Sequence, residues 1–312
     1  MQESDIKALR SLWVGNALNS TPDHKRGVKL WLMDGDSYVN NAPPSISLHT
    51  TNPEAYKDAL SFDAFRFASN AAQTLKELEQ SSAYSKVTSW RIIKTYYAAF
   101  FAAHATMRIF GRSFSSLSDA HVQYLANRCL SEAGYRPNFP SGYYLISIDN
   151  KDLSFKKYRS SHECFWVCYS DLCKFISSES LKISHPKDKR EDIQNYFNNI
   201  SIALTNNNPN KKPSWLSSVR NDVNYSSEYG VWYPFNTKTP DHHDLFGNFR
   251  SWRSGNLSIS SPHLVKNDIE RFYHTAFSVI DTGMAFANDY KSLLQIDTDT
   301  SAVYKRLIDH AA

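Results

Sequence analysis

The stretch WRIIKTYYAAFFAAHA, residues 90–105, indicates the fold because it combines a helical period with many small side chains. Side chains three or four positions apart lie on one face of an α-helix. On one such face the small residues form a narrow stripe of Thr95, Ala98, Ala102 and Ala105. Small side chains at a contact let a neighbouring helix approach closely. We therefore predict a helix from about residue 89 to 110 at the centre of a helical bundle.

Most of the remaining chain also has a helical period. The segments predicted as helices are 52–80, 115–134, 162–175, 190–204, the segment after the loop 206–213, 262–290 and 301–311. GYYLISIDNKDLSFKKY, residues 142–158, instead alternates apolar and polar side chains around an Asp-Asn-Lys turn, which is typical of a β-hairpin. Residues 5–18 suggest a short amphipathic helix, and the chain from there to about residue 50 suggests extended or looping structure.

A second motif, RNDVNY at residues 220–225, follows the loop 206–213. Together the two motifs resemble those of bacterial HEPN domains, helical bundles with a Tyr-Tyr-Ala-x-Phe-x-Ala helix and a later Arg-x4-His or Arg-x-x-Ala-Asp-Tyr motif. The resemblance implies a mainly α fold, a HEPN-like helical bundle with an inserted β-hairpin and an irregular N-terminal segment. Residues 1–50 are then an N-terminal extension, and 51–312 are the helical domain with an insertion at about 135–180.

The nuclease members of the family cut RNA without metal, by attack of a ribose 2′-hydroxyl on the adjacent phosphate. The resemblance assigns phosphate binding to Arg220, whose guanidinium suits a developing phosphorane charge. Asn221 and Asn224 would orient the phosphate, and Tyr225 would either donate a proton or bind the phosphate. A tyrosine has a pKa near 10, so Tyr225 is a poor base at pH 7. Histidines that the fold could bring to the site instead are His185, His242, His243, His263 and His274.

The same residues allow a structural interpretation. Leu216, Val219 and Val223 form an inward stripe of the helix, and Arg220 with Asn224 lies one step around from it. This position suits either a site shared between two bundles or a pair of side chains that pins the bundle. The expected assembly is a homodimer or a complex with another defence-system subunit. The enzyme assignment stays open between a metal-independent endoribonuclease and an inactive scaffold or sensor subunit.

Basic and aromatic residues near the second motif predict contact with RNA. Cations beside aromatic rings hold a phosphate backbone and stack unpaired bases. The residues predicted to bind RNA are Lys211, Lys212, Tyr229, Trp232 and Arg91. The alternative is that the lysines form a solvated face and that the aromatic segment packs onto the bundle.

Composition narrows the remaining possibilities. The net charge of +4 is too small for a dedicated DNA-binding arm, and no glycine-rich phosphate loop is present, so we expect no nucleotide cofactor. The cysteines of the helix 162–175 do not share one face, and we expect buried thiols rather than a metal site. His104 is expected to be a core histidine with a local hydrogen bond. Residues 241–244, DHHD, suggest a turn. Without a signal peptide or membrane span, the chain is expected to be cytoplasmic, as a defence or toxin–antitoxin component.

Overall fold

Helices make up most of the described part of the chain, as predicted. The computed structural model describes residues 2–17, 26–34, 37–39, 46–82, 88–208, 210–226 and 268–293. Its helices are α1 Glu3–Ala8, α2 Val14–Ala17, α3 Val28–Asp34, α4 Pro53–Ser82, α5 Thr88–Ile109, α6 Asp119–Ala133, α7 His162–Glu179, α8 Lys187–Ala203, α9 Trp215–Tyr225 and α10 Asp268–Leu293. Short 3₁₀ helices at Leu9–Leu12 and Ser180–Lys182 extend α1 and α7.

Helix α5 lies at the centre of the bundle, between α4, α10, α9 and α7. The small-residue stripe predicted from the sequence is buried on this helix. Gly283 of α10 lies so close to it that a Cβ atom at that position would be 2.6 Å from the carbonyl oxygen of Ala102. The predicted close approach of a neighbouring helix is therefore confirmed, and α10 is that helix.

The ends of two helices also follow the sequence. Helix α4 begins at Pro53, which suits the first turn of a helix because proline lacks the amide hydrogen that this position leaves unused. Gly134 ends α6 with φ of 71°, and Gly111 follows α5 with φ of 72°, in the left-handed region that glycine adopts without strain. The chain can therefore turn sharply from α5 into the sheet.

The predicted hairpin is present and belongs to a larger antiparallel sheet. The strands are β1 Ser37–Val39, β2 Ser47–Thr50, β3 Arg112–Leu117, β4 Gly142–Asp149 and β5 Asp152–Tyr158, in the order β1-β2-β5-β4-β3. β4 and β5 pair from Tyr143 opposite Tyr158 to Asp149 opposite Asp152, around a turn in which Asn150 has φ of 55°. A smaller core, separate from that of the bundle, lies between this sheet and helices α3, α4 and α6.

The short helix predicted near the start of the chain is present as α1, a 3₁₀ turn and α2. The extended or looping structure predicted from there to about residue 50 is wrong at Val28–Asp34, which form helix α3, because seven residues are too few to show a clear helical period. β2 lies between β1 and β5, and its Leu48 is fully buried in the smaller core. Helix α7 likewise lies inside the larger core through Phe165 and Trp166, although the sequence placed it within an insertion. The physical reason is that strands of three and four residues carry too little periodicity to be recognised, while their pairing with distant strands stabilises them.

Candidate functional site

Helix α9 presents the second motif beside the core. Its predicted inward stripe is buried, with Leu216, Val219 and Val223 at 1% exposure or less. Arg220 follows this stripe around the helix and is itself only 7% exposed. The cation is therefore held at the boundary of the core, where α9 packs on α5.

The guanidinium of Arg220 lies over two tyrosine rings of α5. Its Cζ is 5.3 Å from the ring centroid of Tyr96 and 5.9 Å from that of Tyr97. Nη1 donates a hydrogen bond of 2.8 Å to Oδ1 of Asn221, while Nε is buried and has no hydrogen-bond partner among the described residues. Among the residues that the structure describes, no carboxylate forms an ion pair with Arg220. A buried cation without a counter-ion favours the binding of an anion.

His162, the first residue of α7, completes this cluster. Its Nδ1 is 2.8 Å from the hydroxyl oxygen of Tyr96, which also accepts a hydrogen bond of 3.2 Å from Nε1 of Trp166. Burial, with a smaller contribution from Arg220, lowers the pKa of His162 to about 4. Burial raises the pKa of Tyr96 to about 12, against the opposing effects of the Trp166 hydrogen bond and Arg220. At pH 7 the histidine is neutral and the tyrosine is a phenol.

The Tyr96 hydroxyl can either donate or accept the hydrogen bond that joins it to Nδ1 of His162. If it donates to Nδ1, then Nε2 carries the imidazole proton and is a hydrogen-bond donor. If it accepts from Nδ1, then Nε2 has a free lone pair and is a proton acceptor. Within the described ranges, nothing hydrogen-bonds to Nε2 of His162. The cluster therefore joins one fixed cation to a neutral imidazole that can give or take a proton.

The histidines proposed from the sequence lie elsewhere. Nε2 of His185 is 3.2 Å from Asp5, and His274 lies on α10 with Nε2 3.9 Å from Glu270. His242, His243 and His263 lie outside the described residues. His162 was missed because it is 66 residues from Tyr96 along the chain. The one available signal was its position one helical turn before Trp166, on the inward face of α7.

The other residues of the second motif are spread around α9. Asn221 is half-buried and contacts Arg220, whereas Asn224 is exposed. Tyr225 is 74% exposed. Five positions along a helix correspond to a rotation of about 140° from the starting side chain, so Tyr225 projects away from Arg220. The structure thus brings Asn221 to the buried cation and leaves Tyr225 on the surface.

The residues predicted to bind RNA are also separated. Lys211 and Lys212 are exposed in the connection between α8 and α9. Arg91 is buried at the start of α5, where its charge acts on Tyr273 of α10. Tyr229 and Trp232 lie outside the described residues. The two lysines remain accessible to a ligand, whereas Arg91 contributes to helix packing.

His104 lies in a second buried cluster with Asp63 and Arg108, and the exposed Arg66 contacts this cluster from the surface. Its Nδ1 is 2.9 Å from Nη1 of Arg108, which confirms the predicted local hydrogen bond of a core histidine. Burial and then Arg108 lower the pKa of His104 well below its usual value. Asp63 accepts a hydrogen bond of 2.7 Å from Arg66 and is 3.5 Å from Nε of Arg108. This network ties α4 to α5.

The cysteines of α7 are reduced thiols. Cys168 and Cys173 are buried, as predicted, and Cys164 is half-buried. Burial raises the pKa of Cys168 to about 11 and that of Cys173 to about 12. Within the described part of the chain, no group of three or more His, Cys, Asp or Glu side chains is arranged to hold a metal ion.

Among the described helices, no segment combines the length and the hydropathy that a membrane span requires. Comparison of the chain with family models, curated proteins and solved structures gave no match. The resemblance to HEPN domains therefore depends on the two sequence motifs alone.

Proposed function

We propose that this protein is a HEPN-like component of a bacterial defence or toxin-type system and that it binds an RNA phosphate at Arg220. The observation that supports this most strongly is the burial of a guanidinium that lacks a carboxylate among the described residues. A phosphate oxygen would supply the negative charge that the guanidinium lacks. The neutral imidazole of His162 offers a second polar contact without adding a competing charge.

The proposed chemistry is metal-independent cleavage of RNA. Nε2 of His162 takes the proton of the ribose 2′-hydroxyl, and the 2′-oxygen attacks the adjacent phosphorus. Arg220 stabilises the negative charge of the phosphorane. The bond to the 5′-oxygen then breaks, that oxygen takes up a proton from solvent, and His162 releases its proton to solvent. The products are a 2′,3′-cyclic phosphate and a 5′-hydroxyl, and no water or metal is consumed. His162 replaces the histidine that the Arg-x4-Tyr form of the motif lacks.

A bound phosphate would adjust His162 to this task. The free site holds its pKa at about 4, which is low for a base at pH 7. An anion beside the imidazole favours the protonated form and raises that pKa. Proton transfer to His162 is therefore favoured only when the phosphate is in place.

A second candidate function is a catalytically inactive scaffold or sensor subunit that binds a protein partner, as a homodimer or a hetero-complex. The contact of Arg220 with both tyrosine rings supports this alternative, because cation–π contacts stabilise a buried guanidinium without an anion. Arg220 would then pin α9 to α5.

Binding of a labelled single-stranded RNA to three proteins separates the candidates. The proteins are the wild type, Arg220→Gln and a control, Arg136→Gln, which removes the same charge from an exposed position between α6 and β4. Phosphate binding at Arg220 predicts that only Arg220→Gln loses affinity, by about tenfold or more for a charge-assisted contact. Equal affinity of Arg220→Gln and the control, with all three proteins folded, would favour the scaffold.

A further inference from the structure

A row of aromatic side chains leads away from Arg220 along the outer side of α5. We call it the aromatic row and define it as Tyr97, Phe101 and Phe67. The ring centroids of Tyr97 and Phe101 are 6.1 Å apart, and those of Phe101 and Phe67 are 6.2 Å apart. All three side chains are half-buried, in contrast to the fully buried Tyr96. The row therefore offers ring surface to solvent.

Both ends of the aromatic row carry arginines. Arg220 lies 5.9 Å from the Tyr97 centroid, and Cζ of Arg66 lies 5.2 Å from the Phe67 centroid. The Arg66 side chain is 49% exposed. Asp63 is the carboxylate that Arg66 shares with Arg108, so within the described residues this end keeps a net positive charge. The Phe67 ring itself stacks on His104 and lies 4.3 Å from Cζ of Arg108. A ligand on the row would therefore stack on Tyr97 and Phe101, between Arg220 and Arg66.

The rings beneath the row hold it in place. Phe100 contacts His162 at 4.8 Å and His104 at 4.5 Å between ring centroids, and His104 stacks on Phe67 at 4.7 Å. These contacts fix the outer side of α5 through rings rather than flexible aliphatic chains. A preorganised ring surface loses little entropy when a planar ligand stacks on it.

We propose that the aromatic row stacks unpaired bases of single-stranded RNA whose backbone runs from Arg220 toward Arg66. This inference rests on the proposed function, since it places the substrate of the Arg220 site. Every nucleobase has a ring face, so stacking of this kind tolerates different sequences. Tyr97 and Phe101 lie one helical turn apart and provide two neighbouring positions for bases. The site consequently selects unpaired RNA over a duplex, whose bases already stack on each other.

The test compares two ligands on the wild-type protein by fluorescence anisotropy. One is a labelled RNA hexamer, and the other is a hexamer of the same charge that lacks all bases. Stacking predicts that the hexamer with bases binds about 5- to 150-fold more tightly, the range for one stacked base. Equal affinities for the two ligands would overturn the inference, and this comparison needs no variant.

A pair of variants locates the stacking surface. Phe101→Leu keeps an apolar side chain and removes the ring, and Phe175→Leu does the same at an aromatic residue of α7 that is 37% exposed. We expect about 5-fold or greater loss of affinity for the base-containing hexamer in Phe101→Leu, with the melting temperature checked, and no loss in the control. Equal affinities of the two folded variants would overturn the assignment to this row.

The outcomes also separate the inference from the proposed function. Suppose that Arg220→Gln loses binding, that Phe101→Leu binds as well as Phe175→Leu, and that the base-free hexamer binds as well as the hexamer with bases. The phosphate site is then supported and the stacking row is wrong. If the wild type binds neither hexamer, both fail. If an acidic peptide binds to the row and the RNA does not, the surface serves a protein partner and the inference is overturned.

Discussion

Acidification should destabilise this protein through His162. The pKa of this side chain is about 4 in the folded protein, against an ordinary value of 6.5 in the unfolded chain. Between these two values the unfolded chain binds a proton that the folded protein does not bind. The free energy of unfolding therefore falls as the pH falls from about 6.5 toward 4. Above the ordinary value both states are neutral, and the contribution of His162 does not depend on pH.

The size of this effect follows from the difference between the two pKa values. A pKa of about 4 in the folded protein against 6.5 in the unfolded chain lowers the free energy of unfolding by about 3 kcal/mol once the pH lies below both pKa values. Because the ring is half-buried and partly screened by water, we expect about 1–2 kcal/mol. His104 acts in the same direction, so the wild type alone does not isolate His162. The comparison of the wild type with His162→Gln isolates it, because His104 titrates in both proteins and residue 162 titrates only in the wild type.

Urea unfolding at pH 7, 6 and 5 measures the effect. At pH 7 we expect His162→Gln to be less stable than the wild type by about 1 kcal/mol, because glutamine replaces the hydrogen bond to Tyr96 imperfectly. This gap should close by about 1 kcal/mol or more toward pH 5, because only the wild type pays for keeping the imidazole neutral. A gap that stays constant over this range would refute the burial argument.

Nuclear magnetic resonance tests the contribution of Arg220 to the same pKa. In Arg220→Gln the titration midpoint of His162 should rise, because the neighbouring cation no longer opposes protonation. The midpoint should stay below 6.5, because burial is the larger cause. An unchanged midpoint would mean that the two side chains do not interact.

Three further predictions concern the fold. Gly283→Ala should cost about 3 kcal/mol in urea unfolding because its Cβ would lie 2.6 Å from a carbonyl oxygen of α5, whereas Gly15→Ala, with no atom within 4 Å, should be neutral or stabilising. Equal effects of the two changes would contradict the close helix contact. Asp63→Asn should cost about 3–5 kcal/mol, since it leaves buried arginine charge uncompensated; a cost below about 1 kcal/mol would show that the network is not stabilising. Cys173, whose pKa is raised to about 12, should react with iodoacetamide only in denaturant, and labelling of the folded protein, read by mass spectrometry, would contradict its burial.

The elements that the sequence predicted well are those with a long regular pattern. The stripe containing Ala98 and Ala102 indicated a central helix with a close neighbour, and the contact with Gly283 has that geometry. The inward stripe of α9 placed Arg220 at the edge of the core for the same reason. Patterns of this kind are local, and a helical period reports them directly.

Neither the edge strands of the sheet nor the cluster around Arg220 could be predicted from local sequence patterns. Strands β1 and β2 are three and four residues long, and they are held by pairing with each other and with β5. The site joins Arg220 of α9, Tyr96 of α5 and His162 of α7, and no local pattern relates these helices. Tyr225 occupies the motif position of the usual histidine, yet helical rotation directs it away from Arg220. Tertiary packing, rather than sequence spacing, supplies the histidine.

Cleavage of single-stranded RNA in the presence of EDTA tests the central claim most directly. The wild type, Arg220→Gln, His162→Gln and the control Arg136→Gln are compared, and the ends of the products are identified. The account predicts cleavage by the wild type and the control with 2′,3′-cyclic phosphate ends, and about 100-fold or greater loss of rate in the other two variants. Cleavage that persists in Arg220→Gln and His162→Gln, or the absence of cleavage by the wild type, would contradict it.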